Sequence, residues 1–153
     1  MALTGIPSFC NLGKSVLITS AKFMNSIVLT AIVSALTLSV SSADIDISKL
    51  PSASDKKDLT FAKDIQPLFE RSCFKCHGVE KQKGKLRLDS LEAALKGGEN
   101  GPNIEKGKSA KSSIVISVAR LIDDEAMPPE GKGKPFSKEE IGILRAWIDQ
   151  GAK

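Results

Sequence analysis

The chain has 153 residues, 41% of them hydrophobic and 26% charged, with 22 basic and 18 acidic side chains and a formal net charge of +4. That suffices for one small domain. The charge is too balanced, and too free of basic–aromatic patterning, for a nucleic-acid binder. One histidine and three cysteines leave few residues from which a metal or catalytic centre could be built.

Residues 1–43 read as a signal peptide. Lys14 and Lys22 precede an apolar run of 14 residues, Ile27–Val40, short of the roughly 18 of a membrane span. Ser41 and Ala43 follow at the spacing a signal peptidase reads. The expectation is a periplasmic or otherwise exported protein, attached to the membrane only if this segment stays uncleaved. The stretch before the run is long for a signal, which leaves room for a start nearer Met24. Cys10 precedes the run, the wrong side for lipid modification. Beyond Ala43 the net charge is about +2, with His77 as the one histidine, Met127 as the one methionine, and Cys73 and Cys76 as the cysteines.

The expected organisation is a flexible linker over 44–58 and a single domain over 59–153. "DIDISKLPSASDKKD" is polar and rich in Ser, Asp and Lys. "TFAKDIQPLFERSCFKCHG" predicts a first helix with Asp64 as N-cap, Pro67 in the first turn and Ile65, Leu68 and Phe69 on one face. Gly78 follows as its stop. Asp89 and Glu92 suggest a capping box for a short helix, "SLEAALK", ended by Gly97 and Gly98. "SAKSSIVISVARLI" suits a helix better than a strand, because no partner strand is evident. "DDEAMPPEGKGKP" reads as a loop. "SKEEIGILRAWIDQGA" is the clearest helix, with a Ser137–Glu140 capping box and a stripe of Ile141, Leu144, Trp147 and Ile148. The fold class is all-α.

Residues 73–77, "CFKCH", carry the chemistry. A structural zinc wants four ligands, usually in two separated pairs, and here three lie within five positions. A thioredoxin-like dithiol belongs after a strand in a βαβ setting, which is missing. A disulfide at this spacing on helical backbone is strained and leaves the histidine unexplained. Cys-x-x-Cys-His is the c-type haem signature: the thiols add to two vinyl groups, and His77 is placed as proximal iron ligand. A domain with four phenylalanines and Trp147 has a modest core, which a macrocycle could enlarge by packing against Ile65, Phe69, Leu144 and Trp147.

For the sixth iron position, bis-histidine ligation within the chain is excluded. Met127 is the candidate, because "MPP" stiffens the loop presenting its sulfur; lysine, water or an open site are the alternatives. Two strong ligands favour electron transfer over haem catalysis. The expected function is an exported monohaem carrier of single electrons, not an enzyme; the alternative is a small haem enzyme or sensor with a displaceable sixth ligand. Lys75, Lys81, Lys83, Lys85 and Arg87 surround the motif in sequence and could steer an acidic redox partner, or form an ordinary solvated face. Arg87 could pair with a haem carboxylate or with a surface acid. Trp147 is expected in the core.

"FAKDIQPLFERSCFKCHG", "KGKLRLDSLEAALKGGENGP", "SSIVISVAR", "MPP" and "EEIGILRAWIDQGA" together resemble the cytochrome c domain of planctomycetes and related bacteria. "KLRLDS", "GGENGP" and "MPP" are the more specific stretches. The resemblance implies a class I cytochrome c fold, its first and last helices crossing, with one covalent haem c and its iron. It implies Cys73 and Cys76 as attachment sites and His77 and Met127 as iron ligands. Lys106 stands where the family usually has the proline of a Pro-Gly turn.

Overall fold

The structure is a computed structural model that describes residues 45–153. The expected signal peptide, residues 1–43, lies outside the described residues. The described part is helical, with no strand and two isolated bridges, His77–Gln82 and Gly98–Gly101. Among the described residues no helix is long and apolar enough to cross a membrane.

The first helix opens earlier than its sequence suggests. A π-helical turn spans Phe61–Ile65, closed by Gln66 N–H donating to Phe61 O. The α-helix α1 follows over Gln66–Ser72, with Pro67 in its first turn where no backbone donor is needed. Asp64 is therefore not an N-cap. Its carboxylate instead accepts from Thr60 N at 2.9 Å, one turn back. The wide turn lets Phe61, Ile65 and Phe69 all point inward, and all three are buried. After Cys73, whose backbone leaves the helical region, a single turn α2 covers Phe74–His77.

α3 spans Leu91–Lys96. Its N-cap is Ser90, whose hydroxyl accepts from Ala93 N at 3.2 Å. Asp89, the expected cap, is engaged by Arg87. Gly97 ends the helix at φ +80, and a Cβ there would collide with Gly101 O. α4, Ser113–Val118, is short but helical, and it buries Ile114, Val115, Ile116 and Val118. The preceding turn survives the Lys106 exchange. Lys108 N–H donates to Glu105 O at 2.9 Å, and Gly107, at φ +76, donates to Ile148 O.

α5, Lys138–Asp149, has the expected capping box: Glu140 N donates to Ser137 Oγ, and Ser137 N donates to Glu140 Oε2. Its stripe of Ile141, Leu144, Trp147 and Ile148 is buried. The first and last helices pack through rings, with Phe61 and Trp147 centroids 5.9 Å apart and Phe61 and Phe69 6.1 Å apart. Trp147 is a core residue, and its Nε1 donates to Lys153 O at 2.9 Å. Arg71 and Glu140 join the same helices by two hydrogen bonds of 2.6 and 3.0 Å, with the guanidinium 5.9 Å from the Phe136 ring.

The described part of the lead-in, residues 45–58, packs on the domain instead of forming the flexible linker its composition suggests. Leu50 is buried, Ser54 N donates to Gly142 O at 2.9 Å, and Gln150 Nε2 donates to Lys56 O at 2.7 Å. Arg145 Nη1 also donates to Pro51 O. Gly142 makes this approach feasible, since a Cβ there would lie 2.8 Å from Ser52 O. Polar composition missed the segment because, Leu50 apart, it is held by its own backbone groups rather than by its side chains.

Two outcomes follow. The Arg71 guanidinium holds the Glu140 carboxyl down at about 2, from an ordinary 4.5. The stabilisation is full above the unfolded pKa and is lost as pH falls from about 4.5 towards 2. Glu140→Gln should cost about 1 kcal/mol at pH 7, after discounting for solvent screening, and flatten acid unfolding in that window. Urea titration at pH 7 and pH 3 checks it; equal losses at both would refute it. Gly142→Ala should release residues 50–58, seen as faster amide exchange at Ser54. The isolated helix would gain about 1 kcal/mol from the same change, so an unchanged exchange rate would mean the close approach does not matter.

Candidate functional site

Cys73, Cys76 and His77 share one turn. Cys76 N and His77 N both donate to Cys73 O, at 3.0 and 2.8 Å. Cys73 thus caps the turn that carries Cys76 and His77. Gly78 ends it where a side chain would not fit, because a Cβ would lie 2.6 Å from Phe74 O. The neighbouring chain then locks on: Gly78 N donates to Lys81 O at 2.9 Å, and Leu88 N donates to His77 O at 2.8 Å.

Both cysteines are free thiols and only partly exposed. Burial pushes the Cys73 thiol up to about 12. It is therefore protonated at neutral pH, unlike the low-pKa thiol of a redox dithiol. Among the described residues no group of three or more His, Cys, Asp or Glu side chains is placed to hold a metal ion. Burial also holds His77 below its ordinary pKa, with the Leu86 and Lys83 backbone countering in part. The neutral imidazole is the form that ligates iron. Its Nδ1 is buried without a hydrogen-bond partner.

These features fit a covalently bound haem. Two thiols stand one turn apart, and a neutral imidazole follows directly. Half-buried apolar side chains, Phe74, Leu86, Leu91 and Leu95 among them, flank the main core. The four residues expected to pack on a macrocycle behave differently. Ile65, Phe69, Leu144 and Trp147 are sealed against one another at 0% exposure. The half-buried set, not these four, offers the accessible apolar surface.

Met127 lies outside this turn, on the loop after α4, and is half-buried. Its N–H donates to Ser117 O at 2.9 Å. Arg120 Nη1 donates to Pro128 O at 3.0 Å. Farther on, Gly133 lies so close to Ser72 that a Cβ would be 2.9 Å from Ser72 O, and Ser72 Oγ donates to Lys134 O at 2.7 Å. The methionine loop is thereby fastened to the residue preceding Cys73.

Arg87 takes the surface acid. It forms a two-bond pair with Asp89 at 2.9 and 2.6 Å. Lys75, Lys81, Lys83 and Lys85 are exposed, as is Val79 at 66%. A groove of ≈ 600 Å³ beside the motif is lined by residues that include Phe74, Lys75, Val79 and Lys81. One residue escaped the sequence reading: Asn103, whose Nδ2 and Oδ1 are buried without partners. An asparagine after Gly-Pro carries no signal beyond a turn.

Residues 73–131 match the family model described as Planctomycete cytochrome C. The match takes in Cys73, Cys76, His77 and Met127. No curated protein and no solved structure matches the chain.

Proposed function

We propose that this chain, which carries a planctomycete-type cytochrome c domain over residues 73–131, is an exported monohaem electron carrier of the class I fold. The observation that carries the reading is the single turn bearing Cys73, Cys76 and a neutral His77 with an unpartnered buried ring nitrogen. The haem c, when bound, supplies a one-electron iron couple. Cys73 and Cys76 would hold it covalently, and His77 would supply a nitrogen ligand to its iron. Met127 would supply a thioether as the second protein ligand; its support is the loop anchoring at Ser117, Pro128 and Lys134. A thioether stabilises the ferrous state and raises the potential, and two protein ligands keep substrate off the metal.

Export rests on the 1–43 segment, with its two lysines and 14-residue apolar run. The partner is an acidic redox protein. Exposed Lys75, Lys81, Lys83 and Lys85 supply the attracting charge, and exposed Val79 and the adjoining groove supply an apolar contact.

After expression with the attachment machinery, the chain should stain for haem on a denaturing gel, and Cys73→Ala with Cys76→Ala should abolish the stain. Loss of stain in the unmutated chain would end the haem reading. Met127→Ala should keep the stain, lower the potential and let ferrous protein bind carbon monoxide. An unmutated protein that already binds carbon monoxide readily would favour an enzyme or sensor. Reduction by an anionic small reductant should slow as ionic strength rises, and the quadruple Lys→Glu variant at 75, 81, 83 and 85 should reverse the trend. A rate indifferent to salt would remove the case for an acidic partner.

A further inference from the structure

The loop from Met127 to Lys134 is held at three points. Near its start, Met127 N–H donates to Ser117 O at 2.9 Å, which ties it to α4. Arg120, at a left-handed φ of 57, turns back so that Nη1 reaches Pro128 O at 3.0 Å. At the far limb, the Ser72 hydroxyl donates to Lys134 O at 2.7 Å. The first two ties are local to α4 and its exit. The third spans 62 residues and joins the loop to the residue before Cys73.

Ser72 is one of three buried polar side chains among the described residues, at 8% exposure. A serine there is not needed to finish α1, since Cys73 N already donates to Phe69 O. Its hydroxyl is spent on the loop, with Arg71 Nε donating back to it at 3.3 Å. Gly133 completes the fit by letting the loop backbone lie on Ser72 O and Pro128 without a side chain between them.

We propose that Ser72 is a positioning residue for Met127: its hydrogen bond to Lys134 O latches the methionine loop to the segment that carries the attachment cysteines. The inference rests on Met127 being the sixth ligand. Without the latch, the loop keeps its α4 ties but swings about them, and the sulfur is released more often. Losing one buried hydrogen bond shifts such an opening equilibrium by about tenfold.

The test uses the haem-loaded chain, with two readings: carbon monoxide binding by the ferrous form, and the ferric absorption that reports sulfur on iron. Ser72→Ala should bind carbon monoxide about tenfold more readily and weaken the ferric sulfur band, moving towards Met127→Ala. Ser72→Thr, which keeps the hydroxyl, should restore both. Gly142→Ala, which loosens the 50–58 lead-in and touches neither Ser72 nor its partners, should change neither. Gly133→Ala attacks the same contact from the loop side and should act like Ser72→Ala, so a poorly folding serine variant leaves a second reading. The latch is overturned if Ser72→Ala and Gly133→Ala match the unmutated protein while Met127→Ala opens the iron. If Met127→Ala itself changes nothing, the sixth-ligand reading falls first and takes the latch with it.

Discussion

The rings of Phe61 and Trp147, 5.9 Å apart, join the helical segment before the attachment turn to α5, and the rest of the described domain is arranged about that contact. Phe61 enters from the π-helical turn and Trp147 from α5, and neither could be buried alone. Each large apolar side chain removed from water contributes about 1.5–3 kcal/mol. Together with Phe69, Ile65, Leu144 and Ile148 they form the buried centre. Arg71 and Glu140 add little energy on the rim, but they fix the rotation of one helix against the other. Glu140 also closes the capping box of α5, so one carboxylate sets both where that helix begins and which way it faces.

That orientation reaches the site through α1. Phe69 is held at the centre, and its carbonyl accepts Cys73 N, so the start of the attachment turn is fixed by the core. Ser72, between them, faces the methionine loop. The same few residues therefore carry three constraints: Phe69 inward, Ser72 to the loop, and Cys73 to the attachment turn. A domain of modest size gains rigidity at its functional turn by placing it directly after its best-packed helix.

The protein core is complete without help at its centre, and the apolar surface that remains lies beside the motif. This shapes the proposed chemistry. A macrocycle attached at Cys73 and Cys76 would be covered by half-buried side chains such as Phe74, Leu86 and Leu95. Burial of His77 keeps the imidazole neutral, and burial of Cys73 keeps its thiol protonated. Both effects have one cause, the desolvation of the turn by the segments that fold over it.

The amino-acid sequence by itself determined the all-α class, the capped α5 with its buried stripe, the glycine stops, and the Cys-x-x-Cys-His motif with Met127 as the one methionine beyond residue 43. These are legible because caps, stripes and attachment motifs act within one or two helical turns, at spacings fixed by the backbone. Tertiary structure alone decided the rest. Asp64 and Asp89 look like caps, yet one pairs with the backbone of Thr60 and the other with Arg87, because a carboxylate goes to whichever donor the fold brings nearest. The polar lead-in lies against α5 because Gly142 lets backbone meet backbone. Ser72 finds Lys134 across 62 residues, and Gln150 finds Lys56 across 94. Such bonds leave no periodic trace, since their partners become neighbours only after the helices have packed.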